Sequence, residues 1–182
     1  RSLVGSEMCI RDSDNISRIH KPALNKIMIT ASRAGNAGIV WWAICLPFLI
    51  NSNWRATGAN FVFGLAWAHL MGEIIIKHIV KRVRPCHTLD DDEQLIDRPR
   101  FYSFPSGHTT ASFAMVGVAL MRCKVITFMP ILMLAMLIAF SRIYLRVHYL
   151  TDVIAGMILG LTCGICSVLI FNTVVPMWFP MV

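Results

Sequence analysis

Five long apolar runs limit most strongly what this chain can fold into. They lie at about residues 35–50, 57–80, 106–121, 125–140 and 152–175. A helix needs about 20 apolar residues to cross a bilayer, and helices satisfy their own backbone hydrogen bonds in lipid. Of the 182 residues, 56% are hydrophobic and only 15% are charged, whereas about a quarter are charged in soluble domains. The sequence therefore predicts an all-α, multi-pass membrane helical bundle with about five transmembrane helices.

The segment before the first run is amphipathic. Between residues 15 and 33, apolar side chains recur at helical spacing opposite lysines and arginines, and Pro22 suits the first turn of a helix. We expect an N-terminal amphipathic helix that lies at the membrane interface. Residues 1–13 lack this periodicity and are predicted to be a non-native or disordered tail. Residues 14–182 are then expected to form a single membrane domain.

Three polar clusters interrupt the apolar runs. Successive spans cross the membrane in alternate directions. Three places along the chain therefore meet at one membrane face: the end of the second run, the start of the third, and the junction of the fourth and fifth. Residues that are far apart in sequence are thus predicted to share one site. The clusters are Lys77 with Arg84-Pro85, Pro105-Ser106-Gly107-His108, and Ser141-Arg142 with His148 and Asp152.

The residue types in these clusters suit a phosphate group. Lys77, Arg84 and Arg142 are cations, and guanidinium groups bind phosphate oxygens in pairs. Ser106 and Gly107 begin the third run, where backbone N–H groups and the helix dipole favour an anion. The sequence predicts that these five residues bind phosphate.

The two histidines suit phosphoryl transfer. If the segment from His148 is helical, Asp152 lies on the same face and can orient the imidazole. His148 is then the expected nucleophile, and His108 the expected general acid for the leaving oxygen. The cations would neutralise charge on the transferring group.

The long loop at residues 81–104 is predicted to cover this active site. Its acidic run at residues 90–93 is expected to be a solvated tip, and its aromatic residues suit a membrane interface. The net charge of +7 favours phospholipid headgroups or anionic substrates over nucleic acid. In the fifth run, Gly156, Gly160 and Gly164 predict a smooth stripe for close helix packing.

Two other classes of protein fit parts of the pattern. A small transporter or channel could use Glu73, Lys77 and the histidines as a polar pathway, but the polar residues gather at one face instead of crossing the bilayer. A catalytically inactive lipid-phosphate-binding or transport-type protein of the same fold is the other alternative. The intact His108, His148 and Asp152 argue against it.

The three clusters resemble the signature of the phosphatidic acid phosphatase type 2 family of membrane lipid phosphatases. That signature reads Lys-x6-Arg-Pro, Pro-Ser-Gly-His and Ser-Arg-x5-His-x3-Asp, and every position is matched between Lys77 and Asp152. The resemblance implies a helical bundle, a phosphohistidine intermediate on His148, and no metal or other cofactor. It also implies His108 as the acid and a lipid phosphate or diphosphate as the substrate, such as undecaprenyl diphosphate, phosphatidylglycerophosphate or phosphatidate.

The distribution of charged residues and the family resemblance predict opposite orientations of the site in the cell membrane. Most lysines and arginines fall on the side of the clusters, and only Arg55, Arg122 and Lys124 fall on the other. The positive-inside rule would place the site in the cytoplasm, whereas the resemblance to bacterial members implies a site that faces outward. We follow the resemblance. No residue pattern indicates an oligomeric state.

Overall fold

A computed structural model describes residues 21–88, 95–97 and 102–178. The predicted tail, the start of the amphipathic segment and the acidic run at residues 90–93 lie outside these ranges. The described residues form helices and no strand, which confirms the all-α class. The helices are α1 (Pro22–Ala34), α2 (Ile39–Ile50), α3 (Ser52–Val80), α4 (Gly107–Arg122), α5 (Val125–Tyr144) and α6 (Leu150–Trp178).

The first membrane segment is broken in the middle. A 3-10 turn at Asn36–Gly38 separates α1 from α2, and the two helices are bent by 58°. Ala37 and Gly38 adopt positive φ angles of 50° and 70°, which interrupt the helical hydrogen-bond pattern. With 12 residues, α2 is only about 18 Å long. It reaches the length of a membrane span only together with α1.

The N-terminal helix packs on the bundle. α1 keeps the predicted amphipathic pattern and starts with Pro22 in its first turn. Met28, Ala31 and Ser32 are buried on one side of it, and Asn25 Oδ1 accepts a hydrogen bond from the Tyr144 hydroxyl of α5 at 2.6 Å. The expectation of a helix that lies only at the interface is therefore incomplete, because one face of α1 belongs to the protein interior.

The described helices agree with a multi-pass membrane protein. α3, α5 and the first 25 residues of α6 are each long and apolar enough to cross a membrane, and the bent α1–α2 pair is a fourth candidate. α4, the third predicted span, has 16 residues, or about 24 Å. Ten of these 16 residues are buried. The number of five spans stays a prediction.

α6 lies directly against α4 through the predicted glycine stripe. A Cβ atom at Gly160 would overlap the Thr110 carbonyl oxygen, and one at Gly164 would overlap that of Ala114. Only glycine allows backbones to approach so closely. The predicted close helix contact is confirmed, and it brings the starts of α4 and α6 together.

The fourth run continues further as a helix than predicted. α5 extends to Tyr144 and so includes Ser141 and Arg142. The Ser141 hydroxyl donates to the Ile138 carbonyl at 2.6 Å, so this buried polar side chain is satisfied inside the helix. The polar junction between α5 and α6 is therefore a short turn.

Candidate active site

The three clusters meet around one cavity at a single end of the bundle. The cavity has a volume of about 880 Å³ and is lined by six of the eight predicted site residues. Ser106 and Asp152 are fully buried and lie behind its wall. The lining site residues are Lys77, Arg84, Gly107, His108, Arg142 and His148.

His148 lies in the turn between α5 and α6. The backbone N–H groups of Val147 and His148 both donate to the Arg142 carbonyl, at 3.2 and 3.3 Å. Arg146 adopts a positive φ of 56°, which turns the chain sharply. His148 therefore precedes α6 and does not share a helix with Asp152. The pairing of His148 with Asp152 was predicted for a segment that is helical from His148 onward. The segment is not helical there, although the two side chains still face each other.

The hydrogen bonds of His148 assign its tautomer. Arg84 Nη1 lies 2.9 Å from His148 Nε2, and a guanidinium can only donate. Nε2 therefore carries the lone pair, and Nδ1 carries the proton. Nδ1 faces Asp152 Oδ2 at 3.6 Å, a distance for electrostatic attraction that is too long for a hydrogen bond.

The imidazole of His148 is kept neutral by its surroundings. Burial lowers the pKa of His148 well below its usual range, and the nearby charges of Arg84, Arg142 and Lys77 lower it further. A neutral imidazole, which keeps a lone pair on one ring nitrogen, is the reactive form of a histidine nucleophile. The site therefore holds His148 in that form at neutral pH.

Asp152 is held more firmly by other groups than by His148. Its Oδ2 accepts a hydrogen bond from the Tyr149 backbone N–H at 3.0 Å, at the start of α6. Its Oδ1 accepts one from Arg82 Nη1 at 2.6 Å. Arg82 also donates to Thr151 Oγ1 at 2.7 Å and lies 4.0 Å from the centre of the Tyr149 ring. Arg82 thus fixes the carboxylate that faces His148.

Three buried cations surround the centre of the cavity. The exposed fractions of Lys77, Arg84 and Arg142 are only 4, 4 and 3%. Arg142 Nη1 donates to the Ser32 hydroxyl, and Arg84 Nη1 also donates to the Val147 carbonyl at 3.1 Å. Buried like charges are costly unless an anion joins them. The cluster is therefore suited to a multiply charged anion.

Glu73 places a carboxylate beside these buried cations. Both of its oxygens accept hydrogen bonds from Lys77 Nζ, at 2.6 and 2.8 Å. The same carboxylate lies directly over Gly107, where a Cβ atom would overlap with Oε1. Glu73 belongs to a π-helical stretch of α3, Leu70–Ile76, and such stretches often occur at functional sites.

The start of α4 differs in one detail from the prediction. The Ser106 backbone N–H donates to the Asp152 carbonyl at 3.1 Å, and Ser106 Oγ accepts from Thr109 Oγ1 at 2.9 Å. Its backbone N–H is therefore engaged and joins α4 to α6. Of the two residues predicted to bind phosphate at this helix start, Gly107 lines the cavity.

His108 is contacted by the break in the first span. Its Nε2 lies 2.8 Å from Asn36 Oδ1. Gly35 is packed so close to the ring that a Cβ atom there would lie 2.8 Å from His108 Cδ2. The second histidine of the site is thus positioned by a segment that precedes the three clusters in sequence.

Sequence reasoning missed the roles of four residues around the cavity. Glu73 was considered only as part of a polar pathway with Lys77 and the histidines, and not as the ion-pair partner of Lys77. The Gly-Asn-Ala-Gly stretch at residues 35–38 is a strong helix-breaking signal that could have revealed the break. No sequence signal marked the other contacts. The residues concerned are Ser32, Asn36, Glu73 and Arg82.

Comparisons with known proteins identify the family to which this chain belongs. The PAP2 superfamily matches residues 57–176. The chain is 32% identical to undecaprenyl-diphosphatase of Sulfolobus acidocaldarius over 151 residues, which cover 82% of this chain and 72% of that protein. It is 29% identical to phosphatidylglycerophosphatase B of Bacillus subtilis over 157 residues, which cover 79% of this chain and 73% of that protein.

Two crystal structures share the fold. A transmembrane PAP2 type phosphatidylglycerolphosphate phosphatase from Bacillus subtilis aligns with a TM-score of 0.77 and 21% identity, over 96% of this chain and 89% of the other. Aquifex aeolicus LpxE aligns with a TM-score of 0.73 and 26% identity, over 85% of this chain and 91% of the other. The match covers all three clusters and the helices that carry them. The resemblance inferred from the sequence is confirmed, and the chain belongs to the PAP2 superfamily of membrane phosphatases.

Proposed function

We propose that this protein hydrolyses a lipid phosphate or diphosphate through a phosphohistidine intermediate on His148. The observation that carries the proposal is the state of that side chain. Its Nε2 lone pair faces a cavity that also holds three buried cations, and Arg84 lies 2.9 Å from the same nitrogen. A neutral nucleophile beside fixed positive charge is what attack on a phosphate requires.

In the first step, the substrate phosphate binds Lys77, Arg84 and Arg142. Arg84 then donates to a phosphate oxygen, which frees the lone pair of His148 Nε2. Nε2 attacks phosphorus, and the P–N bond forms while the P–O bond to the lipid breaks. The electron pair of that bond goes to the leaving oxygen, which takes a proton from His108. Asp152 stabilises the positive charge that develops on the His148 ring.

In the second step, a water molecule attacks the phosphohistidine. His108 takes a proton from that water as the new P–O bond forms. The P–N bond breaks, and its electron pair returns to Nε2 of His148. Inorganic phosphate leaves, and both histidines are back in their starting states. The cations hold the transferring group throughout, which is the main electrostatic contribution to such reactions.

The shape of the cavity supports a lipid substrate. Its lining continues from the cations to apolar residues of the first two spans and α4, namely Trp42, Leu65, Ala66 and Ala111. An acyl or prenyl chain can lie along this side while the phosphate reaches His148. The names of the relatives, undecaprenyl-diphosphatase and phosphatidylglycerophosphatase B, favour a polyprenyl diphosphate or a phosphatidyl-type lipid phosphate.

The test is phosphate release from a panel of lipid phosphates in detergent. The panel contains a polyprenyl diphosphate, phosphatidylglycerophosphate and phosphatidate. His148→Ala should reduce release to background, whereas His78→Ala should not. His78 is an exposed histidine of α3 whose Nδ1 hydrogen-bonds to the Ile74 carbonyl at 2.9 Å, and it lies outside the cavity lining. Full turnover by folded His148→Ala would contradict the proposal.

Independence from metal ions is part of the same proposal. Among the described residues, no group of three or more histidine, cysteine, aspartate or glutamate side chains could hold a metal ion. The cations of the site supply the positive charge that a metal would otherwise provide. Turnover by the purified enzyme should therefore be unchanged after dialysis against EDTA, and a loss restored by added metal would contradict this part.

We also propose that the site faces the outside of the cell membrane. Asp97, at the cavity edge, is exposed, and Lys124 is exposed at the opposite end of the bundle. In intact cells, a membrane-impermeant thiol reagent should label Asp97→Cys above the wild-type background and leave Lys124→Cys unlabelled. Labelling of Lys124→Cys alone would place the site in the cytoplasm.

A further inference from the structure

The break in the first span is built against His108. Asn36 Oδ1 lies 2.8 Å from His108 Nε2 across 72 residues of sequence. Gly35 leaves room for the ring, and the positive φ angles of Ala37 and Gly38 hold the turn that presents Asn36. Asn36 itself is exposed and belongs to none of the three clusters. Its most specific contact is therefore the one with a histidine in the site.

On the basis of the proposed function, we infer that Asn36 is a positioning residue for the general acid His108. The amide oxygen of Asn36 accepts the Nε2 proton of the imidazole. In the doubly protonated ring, the second proton is then on Nδ1. When Nδ1 gives that proton to the leaving oxygen, the neutral ring keeps its proton on Nε2. The bond to Asn36 therefore persists before and after proton transfer and keeps the ring in one tautomer and one orientation.

The broken span thus contacts the site at two separate points. Asn36 holds the histidine on the leaving-group side, and Ser32, from the last turns of α1, accepts a hydrogen bond from Arg142 on the phosphate side. The bend of 58° begins directly after α1, between these two residues.

Comparing substrates with different leaving groups distinguishes a loss of proton transfer from general damage to the site. An alkyl lipid phosphate needs a proton on its leaving oxygen, whereas p-nitrophenyl phosphate releases a weakly basic phenolate that does not. The quantity to compare is kcat/KM, which reports the steps up to phosphoryl transfer to His148 and not the later attack of water, which is common to both substrates. Asn36→Ala should lower kcat/KM for the lipid phosphate by about 10–100-fold, a part of the usual general-acid contribution. It should lower kcat/KM for p-nitrophenyl phosphate by less than about threefold.

Three further variants complete the experiment. Asn36→Asp keeps an oxygen acceptor at the same place and should retain kcat/KM for the lipid within a few-fold. His108→Ala should show the same leaving-group pattern more strongly. Asn25→Ala removes the bond of α1 to Tyr144 and should leave the ratio of the two activities unchanged. It is the control for general loosening of the first span.

The outcomes are distinguishable. If Asn36→Ala loses both activities equally, the inference is overturned and the proposed function is left intact. The same holds if His108→Ala changes the ratio of the two activities and Asn36→Ala does not. If the wild-type enzyme releases phosphate from neither substrate, the proposed function itself fails. Activity of Asn36→Ala towards p-nitrophenyl phosphate also reports that the variant is folded.

Discussion

At the scale of single residues, the carboxylate of Glu73 partly balances the three cations of the site. Lys77, Arg84 and Arg142 are almost completely buried, and Glu73 occupies the place beside Lys77 and Gly107. In the absence of substrate, this carboxylate reduces the repulsion among the cations. We expect a phosphate that enters the cavity to compete with Glu73 for Lys77.

Glu73→Gln should therefore strengthen binding of phosphate-like anions. The variant removes a negative charge that neutralises Lys77. The inhibition constant of orthovanadate, which resembles phosphate, should fall about tenfold, equivalent to ~1.4 kcal/mol. Asp97→Asn is the matched control, because it removes a carboxylate at the cavity edge that is not bonded to Lys77, and a smaller change is expected. An unchanged or larger constant in Glu73→Gln would show that Glu73 does not compete with the anion.

His148 should make the protein less stable in acid. Because the pKa of His148 is well below its usual range in the folded state, the unfolded chain binds more protons once the pH falls below about 6.5. Stability is therefore fully present above that pH and decreases as the pH is lowered towards 5. Thermal unfolding in detergent should show a steeper loss between pH 7 and pH 5 for wild type than for His148→Gln. Identical slopes for the two proteins would contradict a buried, neutral His148.

At the scale of elements, two helix contacts hold the site together. The glycine stripe of α6 lets α4 approach, and the Ser106 backbone N–H then reaches the Asp152 carbonyl. The break between α1 and α2 brings Ser32 and Asn36 to the other side of the cavity. The histidines are thus positioned by backbone packing as much as by side-chain contacts.

Gly160→Ala should separate α4 from α6. The added Cβ atom would overlap with the Thr110 carbonyl oxygen, which is backbone and cannot rotate away. We expect a destabilisation of about 1–3 kcal/mol, measured as a lower thermal unfolding midpoint in detergent, together with reduced phosphate release. Ile158→Ala, on the same helix but 64% exposed, should change the midpoint much less. Equal effects of the two variants would contradict the close contact.

At the scale of the whole molecule, the sequence predicted the centre of the site better than its surroundings. Lys77, His108 and His148 could be placed together because alternate crossing of a membrane brings the corresponding span ends to one face. The contacts of Ser32 with Arg142 and of Asn36 with His108 join residues 110 and 72 positions apart. They depend on a helix break whose angle no periodicity encodes.

Two other differences have local physical causes. α5 continues through Ser141 and Arg142 because the serine hydroxyl is satisfied by its own helix, so a polar pair in the sequence does not mark a helix end. His148 then lies in a turn, and Asp152 reaches it from the start of α6. The sequence predicted the pairing of the two side chains but not the backbone that presents them.

The most direct test of the whole account is to trap the covalent intermediate. Purified enzyme is mixed with an excess of the best lipid phosphate from the panel, quenched in alkali within milliseconds and analysed by peptide mass spectrometry. We expect a phosphoryl group on His148 that is stable in alkali and lost in acid, and none on folded His148→Ala. Rapid turnover with no phosphoryl group on His148, or with one on another residue, would contradict it.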